Sequence, residues 1–262
     1  MKSLIVALLL SVSSAFAQPL TFITLTGAGS LSDTAIRQAA PAIERHTGRQ
    51  VVVVNMPGAN GLVGVRHFMS LQGKADTYLL GNAAIGYLLA TGQIDKAPVP
   101  VAGLSKSDMV VYTHPAIPSM AALKASELRS GSSSPMMELS VRLFDSMHST
   151  RSTVVGYTQF SQAVTDLAGG RIEYLIAPSG VSSIESVVSA GKIHAVASVG
   201  EQFSWNAVFA YPGVDTGSLA QHITAAVSET QFTGVRPFPA GAAGVVEMMQ
   251  SESALIQKAL AP

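Results

Sequence analysis

The chain has 262 residues, no cysteine, and 16 basic residues against 16 acidic ones. Only 12% of it is charged, with Lys and Arg scattered, which excludes a basic nucleic-acid surface; without thiols there are no disulfides and no thiolate metal sites. At 48% hydrophobic, a chain of this length can bury a core of its own.

In chain order, the first feature is Lys2, an apolar run at residues 4–10, and Ala15-Phe16-Ala17 before Gln18. This is the form of a cleaved secretory signal over residues 1–17. The run is far shorter than the roughly 20 residues a spanning helix needs. No cysteine stands at the cleavage site to carry a lipid, so the expected product is soluble and periplasmic.

Two apolar, strand-like runs follow, each leading into a glycine-rich loop and then a helix-like segment. Residues 20–25 precede Thr26-Gly27-Ala28-Gly29-Ser30-Leu31-Ser32-Asp33, and residues 51–54 precede Asn55-Met56-Pro57-Gly58-Ala59-Asn60-Gly61. Free N–H groups at helix starts bind anions, so the pattern predicts a site for a small anion. Ser32 or Asp33 is the expected N-cap of the first helix, in which Pro41 predicts a kink. The unbroken valines of 51–54 predict a parallel strand covered on both faces.

Beyond these come a helix at 63–71, a strand at 78–80 ending at Gly81-Asn82, and strands at 101–104 and 109–113. The Pro-rich stretch 98–118 predicts a domain crossing. Ser130-Gly131-Ser132-Ser133-Ser134 reads as a third small-residue loop before a helix through Leu139 and Phe144. Strands at 153–156, 172–176 and 193–199 then alternate with helices at 160–167 and 184–189. A tail holds residues 205–211 and helices near 218–228 and 242–260. The alternation predicts an α/β protein of two lobes.

These residues resemble the substrate-binding receptors of tripartite tricarboxylate transporters, also called Bug receptors. The most specific segment is Val51 through Gly61. Others are Gly27 through Arg37, Thr77-Tyr78-Leu79-Leu80-Gly81, Tyr157 with Thr165-Asp166-Leu167-Ala168-Gly169-Gly170-Arg171-Ile172-Glu173, Ala190-Gly191-Lys192-Ile193, and Trp205 through Ala210. The resemblance implies the type II periplasmic binding protein fold: two α/β lobes, a hinge of two strands, and a ligand cleft between them. Lobe 1 would comprise 18–103 plus 199–262, and lobe 2 would comprise 104–198.

It further implies a non-enzymatic receptor that captures a small carboxylate (a di- or tricarboxylate, aromatic acid or amino acid) as a monomer and delivers it to a membrane permease. No cofactor or metal is implied. Carried over by position, the ligand contacts are Thr26, Gly27, Ala28, Gly29, Ser30 and Asp33, then Asn82, Gly131, Ser132, Ser133 and Ser134, with Tyr157 and Ala177 near the cleft. Backbone capture would explain why these loops hold no Lys or Arg. The chain departs from the family where Gly27-Ala28-Gly29 replaces a double glycine, where Thr158-Gln159 follow Tyr157, and in Ala177-Pro178-Ser179.

Other readings compete. Gly27-x-Gly29 suggests a dinucleotide fingerprint, but Ser32 stands at its third glycine and Asn55 where an acid should grip a ribose. For a serine hydrolase the nucleophile elbow is missing: Gly131-Ser132-Ser133-Ser134-Pro135 ends in proline. His46, His67, His114, His148, His194 and His222 show no paired metal spacing. A ligand-sensing module for a signalling receptor would share the same lobes. Asp33 has two readings, helix cap and pocket residue, and Trp205 has two, core and cleft wall.

Overall fold

The computed structural model describes residues 18–74 and 76–260. The segment 1–17, read as an export signal, lies outside the described residues. Three strands open the sheet: β1 (Leu20–Thr24), β2 (Val51–Asn55) and β3 (Thr77–Gly81). Helices α1 (Leu31–Thr47), α2 (Leu62–Ser70) and α3 (Ala84–Ala90) follow them in turn. Pro41 lies inside α1 without ending it. The chain then runs along β4 (Val99–Thr113) to α4 (Met120–Lys124), β5 (Arg129–Ser132), α5 (Pro135–His148), β6 (Thr153–Gly156), α6 (Phe160–Ala168), β7 (Tyr174–Pro178) and α7 (Ser182–Ser189). It returns along β8 (His194–Ala210) and closes with α8 (Gly217–Glu229), β9 (Arg236–Pro237) and α9 (Ala242–Leu260).

The nine strands form one mixed sheet in the order β2-β1-β3-β8-β4-β7-β5-β6, with β9 beside β4. β1 pairs in parallel with β2 and β3, and β5 with β6 and β7, whereas β4 and β8 are antiparallel to each other. β3 joins β8 at residues 207–209 and β7 joins β4 at 109–113. The long strands β4 and β8 therefore carry a parallel cluster at each end. Between those ends, around residues 105–108 and 204–206, they pair with each other, and β4 pairs as well with the short β9.

Residues 101–104 and 109–113, expected as two strands, are one strand of 15 residues. The polar link Ser105-Lys106-Ser107-Asp108 reads as a loop in sequence, yet Ser105 and Ser107 are buried. Tertiary partners satisfy the link. Asn206 Nδ2 donates to Ser105 Oγ at 3.1 Å, and Ser32 Oγ donates to Asn206 Oδ1 at 2.5 Å. Four register shifts mark β4 as it pairs with β8, and such bulges bend a strand and increase its twist. The runs 193–199 and 205–211, expected separately, likewise join in one strand, β8, which spans 194–210.

The valines of 51–54 do not form a doubly covered strand. β2 is an edge strand, and Val52 remains 37% exposed. The core lies instead on the inner strands. Ile36, Phe22, Leu80, Val208 and Ile223 fill one face of the first cluster, and Phe68, Leu79, Trp205 and Phe209 fill the other. At the opposite end, Leu167, Leu175 and Ile184 pack on one face, and Phe144, Tyr174 and Ile176 on the other. α9 reaches across to α5, where Ile256 and Ala259 meet Leu139 and Leu143.

Candidate functional site

The loop after β1 is tied together by its own side chains. Thr26 Oγ1 lies 3.0 Å from Thr24 Oγ1 and 2.6 Å from Ser30 Oγ. Ser30 caps α1 by accepting the Asp33 N–H at 3.3 Å. The cap is thus Ser30, not Ser32 or Asp33. Asp33 sits a turn deeper, 3% exposed. Its Oδ2 accepts the Gly29 N–H at 2.9 Å, and its Oδ1 accepts from Arg37 Nε at 2.9 Å and Asn55 Nδ2 at 2.8 Å. Burial raises its pKa, but these donors outweigh that and hold the carboxylate below its ordinary range. Asn55 also donates to the Thr26 carbonyl at 3.1 Å, tying the first loop to the end of β2.

A cavity of about 480 Å³ opens beside this loop. Thr26 and Gly27 line it from β1, Gly58 and Gly61 from the loop after β2, and Asn82 from the end of β3. The other sheet end supplies Ser134, Met137 and Pro178. Its walls are largely apolar, and Trp205, Leu255 and Ile256 close one side. Such a volume and lining suit a small molecule held by a few polar groups. The loop after β2 carries backbone strain at this wall: Ala59 and Asn60 adopt positive φ of 45° and 57°, beside Gly61 at 89°. A second cavity of about 660 Å³ lies on the other side of the first loop, between Ser30 and Thr34 of one sheet end and Ser179 to Ser182 of the other.

Of the residues expected at the site, Thr26, Gly27, Asn82 and Ser134 line the first cavity, while Gly29 and Ser30 line the second. Ala28, Asp33, Gly131, Ser132, Ser133, Tyr157 and Ala177 line neither. Gly131 and Ser132 belong to β5 rather than to a loop. A Cβ on Gly131 would stand 2.8 Å from the Leu175 side chain, so this glycine serves close packing. Ser132 Oγ donates to the Ser134 carbonyl at 2.8 Å, and Ser133 Oγ lies 3.4 Å from Met137 Sδ. Ala177 is fully buried in β7. Tyr157 donates its hydroxyl to Asp166 at 2.8 Å, and burial together with that carboxylate pushes its pKa up to about 12.

The sequence reading left three parts of the wall unassigned. The loop of Pro57 to Gly61 was recognised as glycine-rich but not named as a contact. Trp205 satisfies both of its readings, being 1% exposed in the core and part of the cavity wall. Glu252 was not singled out. A signal for it exists, because it falls on the inward stripe of α9 with Val245, Met249, Ile256 and Ala259, where every other position is apolar.

Among the described residues, no Lys, Arg, His or Asp lines this cavity, and Glu252 is the one ionisable carboxyl. Burial among apolar walls pushes that carboxyl up to about 8, partly offset by the nearby Trp205 indole. The indole Nε1 is buried and makes no hydrogen bond of ordinary geometry. Among the described residues, no cluster of His, Asp or Glu could hold a metal, and no helix is long and apolar enough to cross a membrane.

No family model matches the chain. A curated relative, the UPF0065 protein in the TAR-I ttuE-ttuC′ intergenic region of Agrobacterium vitis, is 26% identical over 77% of this chain. The match spans 62% of that relative's length. Among solved structures, R. palustris Rpa4515 with adipate superposes with a TM-score of 0.75 at 20% identity, covering 92% of this chain and 96% of the other. The periplasmic binding protein BugD gives 0.72 at 17% identity, covering 92% and 97%. The relative and these neighbours match the resemblance drawn from the residues, and the fold is the two-lobed α/β fold of periplasmic binding proteins.

Proposed function

We propose that this chain is a periplasmic receptor, without catalytic activity, that captures a small carboxylate in the cavity between its two lobes and presents it to a membrane permease. The observation that carries this reading is the cavity itself. Loops from the ends of β1, β2 and β3 meet Ser134 and Met137 of α5's start across it, so one ligand can touch both sheet ends at once. Lobe 1 is taken as residues 18–103 plus 199–262 and lobe 2 as 104–198, joined by β4 and β8. Residues 1–17 serve export, and the product acts as a monomer.

Thr26, Ser134 and Asn82 offer hydroxyl and amide groups, and Gly27 offers an open backbone. A carboxylate can be held by such donors without a guanidinium clamp. The adipate of the R. palustris neighbour supports this ligand class. Closure about β4 and β8 on binding would follow the usual population shift of hinged lobes.

The test is thermal unfolding of the chain from Gln18 onward against a panel of small carboxylates. A ligand at about 100 times its Kd adds roughly 2.7 kcal/mol, which at this size raises the unfolding temperature by about 5–10 °C. A flat response from a cooperatively unfolding protein would refute the reading.

A further inference from the structure

Glu252 is out of keeping with its surroundings. The inward stripe of α9 runs Val245, Met249, Glu252, Ile256 and Ala259, at intervals of three and four residues, and all but Glu252 are apolar. The carboxyl stands in the cavity wall, where a Cβ placed on Gly86 of α3 would lie 3.8 Å from Glu252 Oε2. Beside it Trp205 keeps a buried indole N–H with no well-formed hydrogen bond. Among the described residues, no basic side chain lines the cavity to compensate a negative charge.

A partly buried carboxyl facing an apolar cavity is costly unless a donor meets it. The protein supplies one nearby donor, the indole. The cavity lining is chemically mixed: hydroxyl and backbone groups of Thr26, Gly27 and Ser134, the carboxyl of Glu252, and apolar side chains such as Met109, Met137 and Leu143.

We infer that the cavity takes a zwitterionic amino acid, its ammonium paired with Glu252 and its carboxylate held by Thr26, Gly27 and Ser134. This rests on the carboxylate-receptor reading and deepens it. A dicarboxylate would set its second carboxylate against Glu252, so that one of the two must stay protonated. A zwitterion pays no such penalty, because its ammonium adds the positive charge that the neutral Trp205 indole cannot supply. The raised pKa of Glu252 adds that the carboxyl releases a proton as the ammonium arrives.

Titration calorimetry near pH 7.5 tests this with matched straight-chain ligands of four to eight carbons: the ω-amino acid, the α,ω-diacid, the monoacid and the alkylamine of each length. The expected result is an ω-amino acid bound at least tenfold tighter than the diacid and monoacid of its length. Glu252→Gln, with folding checked by thermal unfolding, should remove most of that preference and abolish proton release measured in buffers of different ionisation enthalpy. Tighter binding of a diacid overturns the inference and leaves the carboxylate receptor standing. So does an ammonium preference that survives in Glu252→Gln. An alkylamine bound as tightly as the ω-amino acid overturns the carboxylate reading while keeping the role of Glu252. No binding across all four classes overturns both.

Discussion

The Asp33 carboxylate accepts the Gly29 N–H at 2.9 Å, so the loop that looks made for an external anion already holds one of the protein's own. Arg37 and Asn55 share the same carboxylate. Asp33 therefore shapes the loop, and the cavity begins two residues earlier, at Gly27.

Asp33→Ala should lower stability by about 1–3 kcal/mol, because it strands the Gly29 N–H and the Arg37 charge. The native pKa lies below the unfolded value, so this stabilisation is present above pH about 4 and is lost as pH falls through the depressed native pKa. Denaturant unfolding at pH 7 and pH 3 checks it: the gap between wild type and variant should narrow at the lower pH.

Gly27 and Gly29 should respond differently to the same change. A Cβ at either meets nothing within 4 Å, but Gly29 has φ of +77° and Gly27 is not in that region. Gly27→Leu should block the ligand with an unchanged unfolding temperature. Gly29→Leu should cost about 1–2 kcal/mol of stability through backbone strain, with a smaller effect on binding. Calorimetry and thermal unfolding of both variants separate the two effects.

Gly180, after β7, and Gly234, after α8, bring the two sheet ends into backbone contact. A Cβ on Gly180 would overlap the Gly234 carbonyl, and both residues have positive φ, 82° and 80°. Gly180→Ala should push these loops apart and weaken ligand binding at least tenfold. Small-angle scattering of the saturated variant should report a larger radius of gyration than that of the saturated wild type.

Glu252 should leave a mark on stability in the direction opposite to Asp33. Its native pKa, about 8, lies above the ordinary glutamate value of 4.5. Between those pH values the folded protein keeps a proton that the unfolded chain has lost, so stability falls as pH rises from about 4.5 to 8 and levels beyond. Glu252→Gln should remove this slope, gaining roughly 4–5 kcal/mol on wild type at pH 8.5 and little at pH 4.5. Chemical unfolding across that pH range measures it.

Much of the fold was legible because strand and helix periods are local properties. β1, β3, β6, α6, α8 and α9 stand within a few residues of where apolar spacing and glycine punctuation place them. The exceptions have a common cause. Ser105 to Asp108 look like a loop until Asn206, itself held by Ser32, reaches the Ser105 hydroxyl from far along the chain. The valines of β2 look buried until the strand order places them at an edge. Ser130 to Ser132 look like a loop, yet they pair with β6 and β7.

The candidate site divides along the same line. Residue order alone marks the glycine-rich loops at strand ends, the lack of basic residues in them, and the two-lobed alternation. These follow from backbone freedom and apolar spacing, which act between near neighbours. Which N–H groups remain for a ligand is a different matter, because Asp33 takes one of them only once α1 has formed. Trp205 and Glu252 reach the cavity wall only when β8 and α9 are packed across it. Long-range packing sets the charge inside the cavity, and so its choice of ligand, since a carboxyl on a helix has no partner or pocket until another element closes over it.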